Sequence, residues 1–201
     1  MAQQSVTDYF QTLSESMLTM KVTDRSGAAL SLEEGAERAV EMILQTWSDS
    51  RKVMLAGNGG SAAVVSHVHN DLCKAAGVRA LVFTEQPLLT ALANDDGYGS
   101  VFEKPIELWA EPGDLLVTVS SSGKSENIVR ALEAARKLGC RIITLSGFGP
   151  ENPSRQIGEL NFYVGSDVYG YVETAHSALL HFLTDRAKAI TGSESRTQVR
   201  A

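Results

Sequence analysis

Five short apolar runs, at residues 52–55, 79–83, 114–119, 141–146 and 160–164, are each bounded by turn residues and alternate with segments of helical periodicity. The helical segments lie near 61–76, 87–94 and 124–138, with a last one near 171–190. Strands joined by crossover helices run parallel, and a parallel sheet is covered on both faces. The expected fold is therefore α/β, a doubly wound five-stranded parallel sheet. Two more helices, at 6–20 and 32–48, precede it, separated by Thr23-Asp24-Arg25-Ser26-Gly27. Residues 1–50 read as N-terminal helices for packing or oligomerisation, 51–190 as the sheet domain and 191–201 as a flexible tail.

Ligands of such sheets sit beyond the carboxyl ends of the strands, and two strand ends here share one design. VMLAGNGGSAA (53–63) runs an apolar strand through Gly57, Asn58, Gly59 and Gly60 into a helix that Ser61 is placed to cap. LLVTVSSSGKSENIV (115–129) repeats the plan with Ser120, Ser121, Ser122 and Ser125 around Gly123. A helix start leaves backbone N–H groups unpaired and carries partial positive charge, so an anion gains hydrogen bonds and field together there. Glycine permits close backbone approach and serine adds hydroxyl donors. Two such cradles in one sheet point to a phosphorylated small molecule.

Other phosphate motifs fit less well. Gly57-Asn58-Gly59-Gly60-Ser61-Ala62 matches the loose dinucleotide pattern G-x-G-x-x-A, but it follows about fifty residues of helical sequence. No acidic residue stands about 20 residues on at the end of the next strand, and Glu85 comes too late. Gly123-Lys124-Ser125 imitates the end of a Walker A loop, yet Thr118 occupies the place of its first glycine. A formal net charge of −6 argues against direct nucleic-acid binding or an anionic membrane surface. No apolar run approaches the roughly 18 residues of a membrane span, and MAQQSVTDYF lacks the plan of a signal peptide. A cytoplasmic location is expected. Cys73 and Cys140 have no CxxC spacing and read as buried apolar residues, and Trp47 and Trp109 as core or interface anchors.

The succession AGNGGSAA, ANDDGYG, SSSGKSENIVRAL, RIITLSGFG and ETAHSALLH resembles the sugar isomerase (SIS) domain family, most nearly its phosphoheptose isomerases, over about residues 30–190. The resemblance implies a flavodoxin-like SIS fold for the 51–190 domain and an aldose–ketose isomerase that converts sedoheptulose 7-phosphate to a heptose 7-phosphate. It further implies that Ser120, Ser121, Ser122 and Ser125 hold phosphate, and that Asn58, Gly59, Gly60, Ser61, Asn94, Asp95 and Glu173 contact substrate. The family's zinc ligands fall on His67, Asp71, Glu173 and His181, and its proposed acid and base on Asp71 and His181; Glu173, which stands where the family has a glutamine, joins them as a further candidate base. Similar proteins are homotetramers with sites between subunits. A non-catalytic phosphosugar-binding or partner-binding SIS regulator is the alternative.

Read without the resemblance, His67 and Asp71 stand i, i+4 on one helix face, and Glu173 and His181 two turns apart on another. Nitrogen and carboxylate donors suit zinc. Moving a proton between adjacent sugar carbons through an enediol needs a base, an acid and an oxyanion stabiliser. Spacing alone leaves open that the histidines are structural and that no metal binds. His69 should point elsewhere, His176 stands as a site-edge candidate, and Asp96, Tyr98, Tyr169 and Tyr171 are rim candidates. Relative to the family pattern, Asp71 replaces a glutamate, Glu173 a glutamine, Ala75 an arginine and Gly170 an aspartate.

Overall fold

The computed structural model describes residues 4–198. Helix α1 (Val6–Leu18) starts at Ser5, whose hydroxyl accepts the Asp8 N–H, and α2 (Leu32–Ser48) starts at Ser31, which accepts that of Glu34. Between them lies a hairpin, β1 (Lys21–Asp24) and β2 (Ala29–Leu30). There follow β3 (Val53–Gly57), α3 (Gly60–Asn70) with a π-helical extension Asp71–Ala75, β4 (Ala80–Val82), α4 (Gln86–Asp95), a 3₁₀ turn Tyr98–Ser100 and α5 (Glu103–Trp109). The chain ends with β5 (Leu115–Ser120), α6 (Glu126–Lys137), β6 (Arg141–Ser146), α7 (Ser154–Ile157), β7 (Leu160–Tyr163) and α8 (Tyr169–Gln198).

The sheet order is β2-β1-β7-β6-β5-β3-β4. From β7 to β4 every pair is parallel, which gives the expected five-stranded doubly wound core. Taken in chain order these five strands run 2-1-3-4-5, the flavodoxin order, and the order reverses between β3 and β5. The sheet has seven strands rather than five, because β1 pairs antiparallel with β7 and β2 with β1. The segment read as a simple break between two helices is therefore an edge hairpin. Its turn is tied by Asp24, whose carboxylate accepts N–H bonds from Ser26 at 2.8 Å and Ala28 at 3.0 Å, and Gly27 takes φ +83°. Only Val22 of the strand is buried, so two-residue alternation leaves almost no trace in the sequence.

Alternate residues of the central strands feed two cores. Val53, Leu55, Leu115, Val117 and Val119 join α2, α3 and α8 on one face, whereas Met54, Ala56 and Leu116 pack with α5 and α6 on the other. Gly35 lets α2 lie close on the hairpin, since a Cβ there would stand 2.5 Å from Val22. Helix α8 continues through Gln198, beyond the end expected near Ile190. Gly192 does not end it, since one helical glycine costs only about 1 kcal/mol. The rest of the expected tail, 199–201, lies outside the described residues. No helix among the described residues is long and apolar enough to cross a membrane.

Candidate active site

At the β3/β5 switch point, Gly57 pairs with Val119, and both strands then turn into helices over one cleft. The cleft, of about 230 Å³, is lined by Asn58, Gly59, Gly60 and Ser61 on one side and Ser120, Ser121, Ser122 and Ser125 on the other, and is closed by Tyr169 and Glu173. Ser61 does not cap α3 as expected. The cap position is Gly59, at φ +55°, and no side chain bonds the first turn. The N-terminus of α6 likewise has no side-chain cap, so two helix starts present unpaired N–H groups to the same space. The Ser121 hydroxyl is buried there without a hydrogen-bond partner. A buried orphan hydroxyl is unfavourable unless a ligand or water completes it, so the cleft is built for a polar guest.

The Asn58 side chain is held in one orientation by two residues that the motifs did not single out as its partners. It exchanges bonds of 2.9 Å with Asn127 of α6 in both directions, and its oxygen accepts the Tyr98 hydroxyl at 3.1 Å. One Asn58 N–H is left over for a ligand.

Gly60, His67 and Asp71 are spaced i, i+7, i+11 and form one stripe along α3 and its extension. Helix α8 lies against α3. The Glu173 carboxylate covers Gly60 so closely that a Cβ would stand 2.5 Å from it. Farther along, Asp71 Oδ2 lies 3.4 Å from His67 Nε2 and 3.6 Å from His181 Nδ1, and the two imidazole rings are 4.9 Å apart. Ligand atoms of these three residues fall within 4.8 Å of one another, and Glu173 is not part of that group. Two imidazoles and a carboxylate fit a zinc ion that keeps an open position. The expected quartet is thus brought together as a triad, with its fourth member two turns away in the cleft.

Other expected residues fall elsewhere. Asn94 and Asp95 are exposed, bond to each other at 2.7 Å and do not line the cleft. Asp96 faces Lys104, at 3.3 Å, and Tyr171 is buried against α1 through Tyr9. His176 is not a site-edge residue: it is fully buried, and the Ser146 carbonyl oxygen 3.1 Å from its Nε2 accepts that N–H. Burial pushes its pKa down to about 4. Cys73 is exposed rather than buried, because its position on the π-helical extension faces solvent, while Cys140 is buried and its thiol is pushed up to about 11. Trp109 is also exposed. At Gly170 any side chain would meet the Tyr9 hydroxyl, so α1 takes the room an aspartate would need.

The SIS domain family model matches residues 20–147. The phosphoheptose isomerase of Akkermansia muciniphila is 34% identical over 82% of this chain and 89% of its own length. That of Shewanella denitrificans is 31% identical over 83% and 89%. Among solved structures, the phosphoheptose isomerase of Neisseria gonorrhoeae superposes with a TM-score of 0.79 at 26% identity, covering 90% of this chain and 97% of that one. The chain belongs to the SIS domain family, among the phosphoheptose isomerases.

Proposed function

We propose that the protein is an aldose–ketose isomerase of phosphorylated sugars, acting on sedoheptulose 7-phosphate to give a heptose 7-phosphate. The observation that carries this reading is the cleft itself: two uncapped helix starts, a ring of serines and the orphan Ser121 hydroxyl, all facing one space. These groups bind phosphate. From Gly60 to His67 is two turns of α3, about 10 Å along the axis. An extended seven-carbon chain bridges that span from phosphate to carbonyl, and a three-carbon chain does not.

Isomerisation removes a proton from C1 of the ketose, forms a C1–C2 enediol and returns a proton to C2 while the two oxygens exchange theirs. Asp71, His181 and Glu173 are the candidates for these transfers. Asp71 and His181 stand at the carbonyl end of the span, and Glu173 stands over Gly60 at the mouth of the phosphate cradle. His67, Asp71 and His181 would hold a zinc ion, which when bound supplies Lewis acidity to the sugar carbonyl. A homotetramer with sites between subunits is part of the proposal. It is supported by Phe10, Leu18 and Phe182, all exposed, and by an apolar groove of about 210 Å³ that Leu18 and Phe182 share with Met17, Met20 and Ala178. So is a cytoplasmic location, consistent with the absence of a spanning helix among the described residues.

The test is an NMR assay of the zinc-loaded protein with sedoheptulose 7-phosphate in heavy water. Appearance of an aldose anomeric signal with deuterium at C2, lost in Asp71→Asn and His181→Ala, is the expected result. Phosphosugar binding with neither conversion nor exchange, for this ketose and for shorter ones, would establish a binding protein instead.

A further inference from the structure

A serine loop cradles an anion only if its peptide N–H groups face the cleft and its carbonyl oxygens face away, because an inward carbonyl repels phosphate. Here two of the carbonyls, those of Ser121 and Gly123, are held from behind by the segment from the end of β6 to the start of α7, and Ser120 O accepts the Gly123 N–H within the loop at 3.0 Å. Ser121 O accepts the Gly147 N–H at 2.9 Å, and Gly123 O accepts the Ser154 N–H at 3.0 Å and the Ser154 hydroxyl at 2.8 Å. Gly123 takes φ +61° and lies directly on Asn152, whose Oδ1 occupies the place of any Cβ. Asn152 is itself immobilised: its amide donates to Ser146 Oγ at 3.1 Å and to Gly149 O at 3.0 Å, and its oxygen accepts the Arg155 N–H at 3.3 Å. Both residues are buried, at 5% and 0% exposure, and neither lines the cleft.

We propose that Asn152 and Ser154 are positioning residues for phosphate binding, which hold the Ser120–Ser125 loop in its anion-accepting conformation before substrate arrives. Asn152 sets the left-handed turn at Gly123 by contact, and Ser154 anchors the carbonyl that this turn points backward. The affinity of the cradle therefore depends on a segment that never touches the ligand. This inference rests on the reading of the serine loop as a phosphate site.

The experiment measures inorganic phosphate binding by calorimetry, together with kcat and KM for the sugar phosphate, in the wild type, Asn152→Ala, Ser154→Ala and Ser154→Thr. One buried hydrogen bond corresponds to about a tenfold change. Asn152→Ala and Ser154→Ala are expected to weaken phosphate binding about tenfold and to raise KM by a similar factor with kcat within about twofold. Ser154→Thr keeps the hydroxyl and is expected to retain wild-type affinity. Phosphate affinity unchanged in both alanine variants would overturn the proposal, and so would a parallel fall of kcat and thermal stability with KM untouched. A wild type that binds no phosphate overturns it differently, by removing the cradle on which it rests.

Discussion

Acidification should unfold this protein partly through one side chain, His176. Its ring is fully buried, one nitrogen donates to the Ser146 carbonyl, and the other has no partner. Desolvation disfavours the imidazolium and holds the folded pKa at about 4, against 6.5 for the ordinary group. The sign follows from proton counting. Between these two values the unfolded chain binds more protons than the folded one, so stability rises with pH across the window. The contribution is complete above 6.5 and is lost as pH falls toward 4. Going from about pH 7.5 to about pH 5, linkage gives a loss of about 2 kcal/mol from this histidine alone. The carboxylates of an acidic chain titrate in the same direction, so the measurement is a difference. Urea unfolding is followed at both pH values for the wild type and for His176→Gln, which keeps an amide donor for Ser146. The wild type should lose about 2 kcal/mol more than the variant. Equal losses, or an NMR titration of His176 with a midpoint near 6.5, would refute the reasoning.

Three further outcomes are expected. At the opposite end of the sheet, Lys52 Nζ lies 2.6 Å from the fully buried Asp114, whose carboxylate also accepts the N–H groups of Lys52 at 3.0 Å and Glu111 at 2.7 Å. Asp114→Ala should therefore destabilise the fold by about 3 to 5 kcal/mol in urea melts without shifting KM, if the protein folds at all. Tyr98→Phe removes one neutral hydrogen bond from Asn58 and should raise KM about fivefold at constant kcat, as steady-state kinetics would show. Dialysis against a chelator should abolish turnover while leaving the circular dichroism spectrum in place, and added zinc should restore activity, since His67, Asp71 and His181 are drawn from two helices that the cores already hold.

What was legible in the sequence was whatever depends on local pattern. The central parallel strands show because they are short, mainly apolar runs, β3 and β5 buried on both faces throughout, and both cradles show because they join such a strand to a glycine- and serine-rich helix start. The hairpin β1–β2 does not, since its pairing partner β7 lies more than a hundred residues away and only Val22 of its strands is fully buried, with Leu30 half-buried against the same core. The supports of the site are hidden for the same reason. Asn127 reaches Asn58 across 69 positions, and Ser154 reaches Gly123 across 31; the motifs that contain Asn58, Gly123 and Asn127 say nothing of these pairings, and Ser154 belongs to no motif.

The division of the expected quartet carries the most chemical weight. Spacing of eight residues puts Glu173 and His181 on neighbouring faces of α8 but leaves them about 12 Å apart along its axis. Whether both reach one point therefore depends on how α8 lies against α3, which is a tertiary fact. Packed as they are, Glu173 meets Gly60 at the mouth of the phosphate cradle and His181 meets Asp71 two turns farther on. A glutamine at position 173 would place a neutral amide in the cleft, whereas the glutamate places a negative charge beside the proposed phosphate site. Phosphate affinity should then rise as Glu173 is neutralised. Glu173→Gln is accordingly expected to bind inorganic phosphate more tightly than the wild type in calorimetry. If Glu173 also transfers the substrate proton, the same variant loses kcat. Tighter binding with unchanged kcat would assign Glu173 to affinity alone and leave the chemistry to Asp71 and His181.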